Sequence, residues 1–164
     1  MIRPILLWPD RRLRTPAAAV EAITDDIRAI WADMIDTMEA MPGVGLAAPQ
    51  IGIGLRLAVV DASDTRRQAI RLANPRVVAA SQDMRGHDEA SPCLPGVWAR
   101  LDRPARVTVA YLDETGAPVQ RDFDGLWATS VQHQIDHLDG KLYIDRLSRV
   151  KRDMLLKRSR KVGA

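Results

Sequence analysis

Residues Gln132 to Gly140 read QHQIDHLDG, with two histidines four positions apart. On a helix of 3.6 residues per turn, His133 and His137 differ by about 40° in azimuth and lie one turn apart, so both imidazoles can reach one cation. Gln134 falls on the shoulder of the same face, about 100° from His133. In a His-Glu-x-x-His helix that shoulder carries a glutamate, the general base that takes a proton from metal-bound water. Taken alone, the pair is equally two histidines at a surface or core edge. Cys93, the single cysteine, changes the weighing. Two neutral imidazoles and a thiolate make a three-ligand set with a fourth position open to water, as in catalytic rather than structural metal sites.

A third segment, GVGLAAPQIG from Gly43 to Gly52, also bears on chemistry. Its glycines permit close backbone approach, and Gln50 offers a side-chain amide able to donate to a developing oxyanion. The same run also reads as a tight turn feeding a strand. His87, in RGHDEAS, has no evident partner and reads as a loop residue.

These residues need elements to hold them. In TDDIRAIWADMIDTMEAMPG, the residues Ile27, Ile30, Trp31, Met34, Ile35 and Met38 repeat at helical spacing. Thr24 caps this helix, Asp25 and Asp26 suit its first turn, and Pro42-Gly43 stops it. Strand-like runs follow at 55–61, 76–80 and 106–113, and the last pairs with 117–123 through Glu114-Thr115-Gly116 as a hairpin. Asp124 is a plausible cap for the histidine helix, with Gly140 beyond its end. Strands in the middle and helices at both ends predict an α+β fold.

The 164 residues, 46% hydrophobic, predict a single soluble domain over 1–164. No apolar run approaches the ~20 residues that span a bilayer, and the first residues are too short a run for a secretory signal, so the cytoplasm is the default location. One cysteine excludes an intramolecular disulfide and a multi-cysteine zinc ribbon. The net charge of +3 is uneven: from Ser148 onward there are seven Lys or Arg and one Asp, which leaves −3 for the rest. A basic C-terminal helix, about 148–161, suits nucleic acid or an acidic surface, or is simply solvated.

Together the three segments resemble the peptide deformylases. That family carries Gly-x-Gly-Leu-Ala-Ala-x-Gln, Glu-Gly-Cys-Leu-Ser and Gln-His-Glu-x-Asp-His-Leu-x-Gly. The first matches here at every specified position and the third at all but Gln134. LANPRVV, LDRPARVTV and GKLYIDRLSRVKR resemble further family segments, so the likeness runs almost end to end. It implies antiparallel sheets packed around a central metal-binding helix, with an N-terminal and a C-terminal helix. It implies Fe2+, with Zn2+ or Ni2+ as substitutes, on Cys93, His133 and His137. It also implies hydrolysis of the N-formyl group of N-formylmethionyl peptides or nascent chains, the oxyanion held by Gln50 and the backbone N–H of Leu94. Gly43, Val44, Gly45, Leu126, Thr129 and Ser130 fall at substrate-contacting places, and Arg103 with Asp136 at those of a supporting ion pair.

The middle motif departs. Aligned on the cysteine, the family's Glu-Gly reads Ser91-Pro92, its serine reads Pro95, and the span from Cys93 to Arg103 is about two residues short. Gln134 cannot accept a proton as glutamate does, and losing such a group costs ~10²–10⁴ in rate. Thr129 and Ser130 are more polar than a methionine slot favours, unless their hydroxyls bind backbone carbonyls. The leading expectation is a metal-dependent amidohydrolase of reduced or altered activity. The alternatives are a non-catalytic metal-binding paralogue that binds N-terminal peptides, a module that meets the ribosome or RNA through its basic tail, and, with less support, a zinc endopeptidase.

Overall fold

The computed structural model describes residues 1–163. Helix α1, Asp25–Ala40, opens where the Thr24 side chain accepts from the Ile27 N–H and closes where the Gly43 N–H reaches the Met38 carbonyl at 2.8 Å. Ile27, Trp31, Met34 and Met38 are buried as their spacing predicts, while Ile30 and Ile35 flank them half-buried. Thr37 is also buried, which its polarity hid; its hydroxyl donates to the Asp33 carbonyl and accepts from the Arg3 N–H.

Among the described residues, seven strands form two antiparallel sheets. The larger has the order β1-β2-β3-β6-β7, with β1 at Gly45–Ala47, β2 at Leu57–Val60, β3 at Ile70–Ala80, β6 at Arg106–Leu112 and β7 at Pro118–Asp124. The smaller pairs β4, Met84–Glu89, with β5, Ala99–Pro104. Val107, Val109 and Tyr111 of β6 face inward, as alternation predicts. β3 is longer than its sequence suggested. Its register shifts between Ala73 and Arg76, and Asn74 sits at positive φ there, with its side-chain amide bonded to both backbone groups of Val20. An irregularity anchored in this way lets the strand continue past Pro75.

Helix α2, Gly125–Leu138, lies between the sheets and touches β1, β2 and β7. Ten of its fourteen residues are buried, so it is enclosed on nearly all sides. Gly140 follows at φ +76, where a Cβ would stand 2.6 Å from the Arg14 carbonyl oxygen. Asp124 precedes the helix without the expected side-chain cap bond. Helix α3, Arg149–Gly163, buries only Leu155 and Ser159 and exposes its basic residues apart from the half-buried Arg152. No helix among the described residues is long and apolar enough to cross a membrane.

Candidate active-site cleft

A cavity of about 480 Å³ opens between β1 and β4, each an edge strand of its own sheet, with α2 as its floor. Gly43, Val44, Gly45, Leu126, Thr129 and Ser130 all line it, as their positions implied, together with Gln50, Leu94, His133 and Gln134. Gly45 is required sterically. A Cβ there would lie 2.5 Å from both the Gln134 amide nitrogen and the Ser130 hydroxyl. The hydroxyls of Thr129 and Ser130 are engaged. Ser130 donates to the Val44 carbonyl at 2.8 Å, and Thr129 accepts from the Arg85 guanidinium at 2.9 Å.

Two carboxamides remain available in the cleft. Gln50 is fixed by the Ala47 N–H donating to its Oε1 at 2.9 Å, while its Nε2 stands 3.5 Å from both Ser91 Oγ and Cys93 Sγ. That is the outer limit of a bond to oxygen, so the amide keeps donor capacity. The Gln134 Oε1 is buried with no partner at all. Such an acceptor costs about 1–3 kcal/mol until something donates to it.

Behind the cleft lies an ion network. Arg103, 1% exposed, forks onto Glu89 at 2.6 and 2.9 Å and reaches Asp136 at 3.0 Å. Arg146 grips both oxygens of Asp136. Asp136 and Arg103 are therefore a buried pair. Glu89 also lies 2.8 Å from His133 Nδ1. Burial alone would raise the Glu89 pKa, but the bonds to His133 and Arg103 outweigh it and hold the carboxyl at about 2. Burial likewise works to raise Asp136, and Arg146 with Arg103 prevails, leaving it below the ordinary range.

The expected metal ligands are only partly gathered. The rings of His133 and His137 are adjacent, 5.0 Å between centroids. His137 is buried and both its nitrogens lack partners. Burial, then the nearby positive groups, pushes its pKa well below the usual histidine value, so it is a neutral imidazole with a free lone pair. Cys93 is fully buried and lies outside the cavity lining. Burial pushes its thiol pKa up, against weaker help from Gln50 and Ser91, so it is held as the thiol. Among the described residues no group of three or more His, Cys, Asp or Glu side chains is arranged so that it could hold a metal ion. The residues present do not fit a closed three-ligand site, and the anticipated convergence of Cys93 on the two imidazoles is not what the fold assembles.

Two further expectations are corrected. The Leu94 N–H, assigned to an oxyanion, donates instead to the Ser91 carbonyl at 3.0 Å, closing a tight turn. Glu89, unremarked in the sequence, supplies the carboxylate that meets Arg103 and His133. His87 also lines the cleft, on β4 rather than in a loop. The polar run MRGHDE hid this strand, because its side chains serve the cleft and the ion network instead of an apolar core. The signal available was a pair of opposite charges, Glu89 and Arg103, 14 residues apart on either side of the Cys93 segment.

The polypeptide deformylase family matches residues 2–153. A peptide deformylase-like protein of Bradyrhizobium diazoefficiens is 44% identical over 162 residues, covering 99% of this chain and 95% of its own length. The crystal structure of a peptide deformylase from Ehrlichia chaffeensis superposes with a TM-score of 0.94 at 31% identity, covering 99% of this chain and 97% of that one. A Met-Ala-Ser-bound peptide deformylase from Acinetobacter baumannii gives a TM-score of 0.85 at 29% identity, over 90% of this chain and 99% of that one.

Proposed function

The chain belongs to the polypeptide deformylase family, and we propose that its cleft receives the N-terminal end of an extended peptide, N-formylmethionyl ends included, without hydrolysing the formyl group. One observation carries this reading. The cleft presents a spare amide donor, Gln50 Nε2, and an unpartnered buried acceptor, Gln134 Oε1. A formamide or peptide unit brings one C=O and one N–H, which satisfies both. Beyond that first amide, β1 and β4 offer edge-strand backbone on either side, the arrangement by which extended peptides add to sheets. The related Acinetobacter protein is bound to a peptide of this kind, Met-Ala-Ser.

What the chain's own residues do is position rather than react. Gln50 donates to the ligand carbonyl and Gln134 accepts from its N–H. Gly45 lets β1 lie directly against the Gln134 and Ser130 side chains of α2. Gln134 takes no proton at neutral pH, so it cannot activate water in the manner of a general base. Calorimetric titration with formyl-Met-Ala-Ser and free Met-Ala-Ser tests the reading. Saturable one-to-one binding is expected, and loss of it in Gln50→Ala. Absence of binding by either peptide would contradict it.

A second reading is deformylation with a divalent ion that the adjacent imidazoles His133 and His137 would help to hold. The free nitrogens of neutral His137 favour it. Release of formate by a metal-supplemented sample, abolished by His137→Ala, would support this second reading. Ribosome association through the exposed basic residues of α3 belongs with either reading. It predicts a steep salt dependence, and salt-independent association would contradict it.

A further inference from the structure

The position of Glu89 resets the alignment of the loop that follows it. The family pattern is Glu-Gly-Cys-Leu-Ser, and the glutamate that grips Arg103 and His133 here is Glu89, not a residue adjacent to the cysteine. Counting forward from Glu89 without a gap, Ala90 stands for glycine, Ser91 for cysteine, Pro92 for leucine and Cys93 for serine. The apparent two-residue shortening between Cys93 and Arg103 then disappears, because nothing was deleted. The side chains agree with this register. Ser91 lines the cleft beside Gln50, His133 and Gln134, whereas Cys93 does not. The Cys93 carbonyl accepts from the Trp8 N–H at 2.9 Å, outside the cleft lining, while its N–H donates to the Ser91 hydroxyl at 3.3 Å.

We infer that Ser91, not Cys93, occupies the third corner of the two-imidazole site, and that Pro92 occupies the adjacent backbone-donor position, so that the cleft has exchanged all three reacting groups for inert ones. A neutral hydroxyl replaces the sulfur anion, a proline nitrogen with no hydrogen replaces the N–H, and the Gln134 carboxamide replaces the carboxylate. The Leu94 N–H cannot stand in for the missing donor while it holds the Ser91 carbonyl. Each exchange keeps roughly the shape of the group it replaces. The result is a cleft able to hold an N-terminal amide, with two imidazoles and no thiolate for an ion. This rests on the family register and on the peptide-binding reading above. It specifies that the chain is a binder of N-terminal peptide ends whose affinity is independent of a resident metal.

Cobalt titration of the full-length protein separates the two registers, because a thiolate bound to Co2+ gives a sulfur-to-metal charge-transfer absorption that imidazole and hydroxyl do not. Wild type is expected to show no such band, and Cys93→Ala to behave as wild type. Ser91→Cys is expected to gain the band at one ion per chain and to bind Co2+ at least ~100-fold more tightly, since a direct ligand counts for no less than an outer-sphere partner. A band in wild type that Cys93→Ala abolishes would overturn the inference. So would a Ser91→Cys protein with native circular dichroism and no band. Should Ser91→Cys fail to fold, the wild-type and Cys93→Ala spectra still decide. Formyl-Met-Ala-Ser calorimetry on wild type, with and without a chelator, is read separately. A missing sulfur band with no peptide binding sinks the peptide reading and leaves the register standing.

Discussion

Two faces of helix α2, roughly 160° apart around its axis, are finished differently. On one, Asp136 is gripped by Arg103 and by both reaching nitrogens of Arg146, within 2.8 to 3.0 Å. On the other, Gln134 keeps a buried oxygen with no partner, and the nearby His137 keeps two bare nitrogens. Buried polar groups in folded proteins are overwhelmingly paired. The satisfied face is therefore scaffold, and the unsatisfied face is where a guest completes the bonding. The same contrast runs through the loop beyond the helix. Glu89 keeps its ion-pair duty, while Ser91 after it offers no charge and Pro92 no N–H.

The contrast can be broken first at its scaffold side. Arg103→Met removes a buried cation and leaves Glu89 with His133 alone and Asp136 with Arg146 alone, so thermal or urea unfolding should show a loss of about 3–5 kcal/mol. A loss below about 1 kcal/mol would mean the network is not structural. On the guest side, Gly45→Ala drives a methyl into Gln134 and Ser130, and overpacking of this kind costs about 1–3 kcal/mol. It should weaken formyl-Met-Ala-Ser binding more than it lowers the melting temperature would suggest. Equal binding would place the peptide elsewhere.

Acid sharpens the same division. The Glu89 pKa is held at about 2, below its ordinary 4.5, because the folded protein stabilises the carboxylate. Its contribution is present in full above pH 4.5 and is lost as pH falls toward 2. Asp136 adds in the same direction. The melting temperature of wild type should fall through that window, and that of Glu89→Gln, lower at neutral pH, should fall less steeply. Parallel curves would show that Glu89 is not the group responsible. The smallest effect is expected from Gln134→Glu alone. With Ser91 and Pro92 unchanged, no formate release is expected from this variant, because the ~10²–10⁴ that a general base supplies is realised only in a site that can otherwise react. Formate released by the variant would mean that the loop still reacts.

How much of this the amino-acid order disclosed depended on whether a residue answers to its neighbours in sequence or in space. Helix α1 was readable because its apolar positions repeat at helical spacing, and β6 because Val107, Val109 and Tyr111 alternate. The Gly43–Gln50 segment was readable from its motif, and its glycines and Gln50 do line the cleft. The loop after Glu89 misled because cysteine is the conspicuous residue and invites alignment on itself. Only the three-dimensional grip of Glu89 on Arg103, 14 residues away, fixes the register. Strand β4 was invisible for a related reason: its inward side chains are polar and meet partners on β5 and α2 rather than an apolar core. The burial of Thr37 likewise depends on Arg3, 34 residues earlier.

The central claim, a cleft that recognises an N-terminal amide through two carboxamides and needs no metal to do so, is tested most directly by titrating formyl-Met-Ala-Ser into wild type in the presence of excess chelator. The account predicts saturable one-to-one binding, unchanged by the chelator and with no formate released. Binding that vanishes with the chelator, or formate that appears when Fe2+ is restored to wild type, would contradict it.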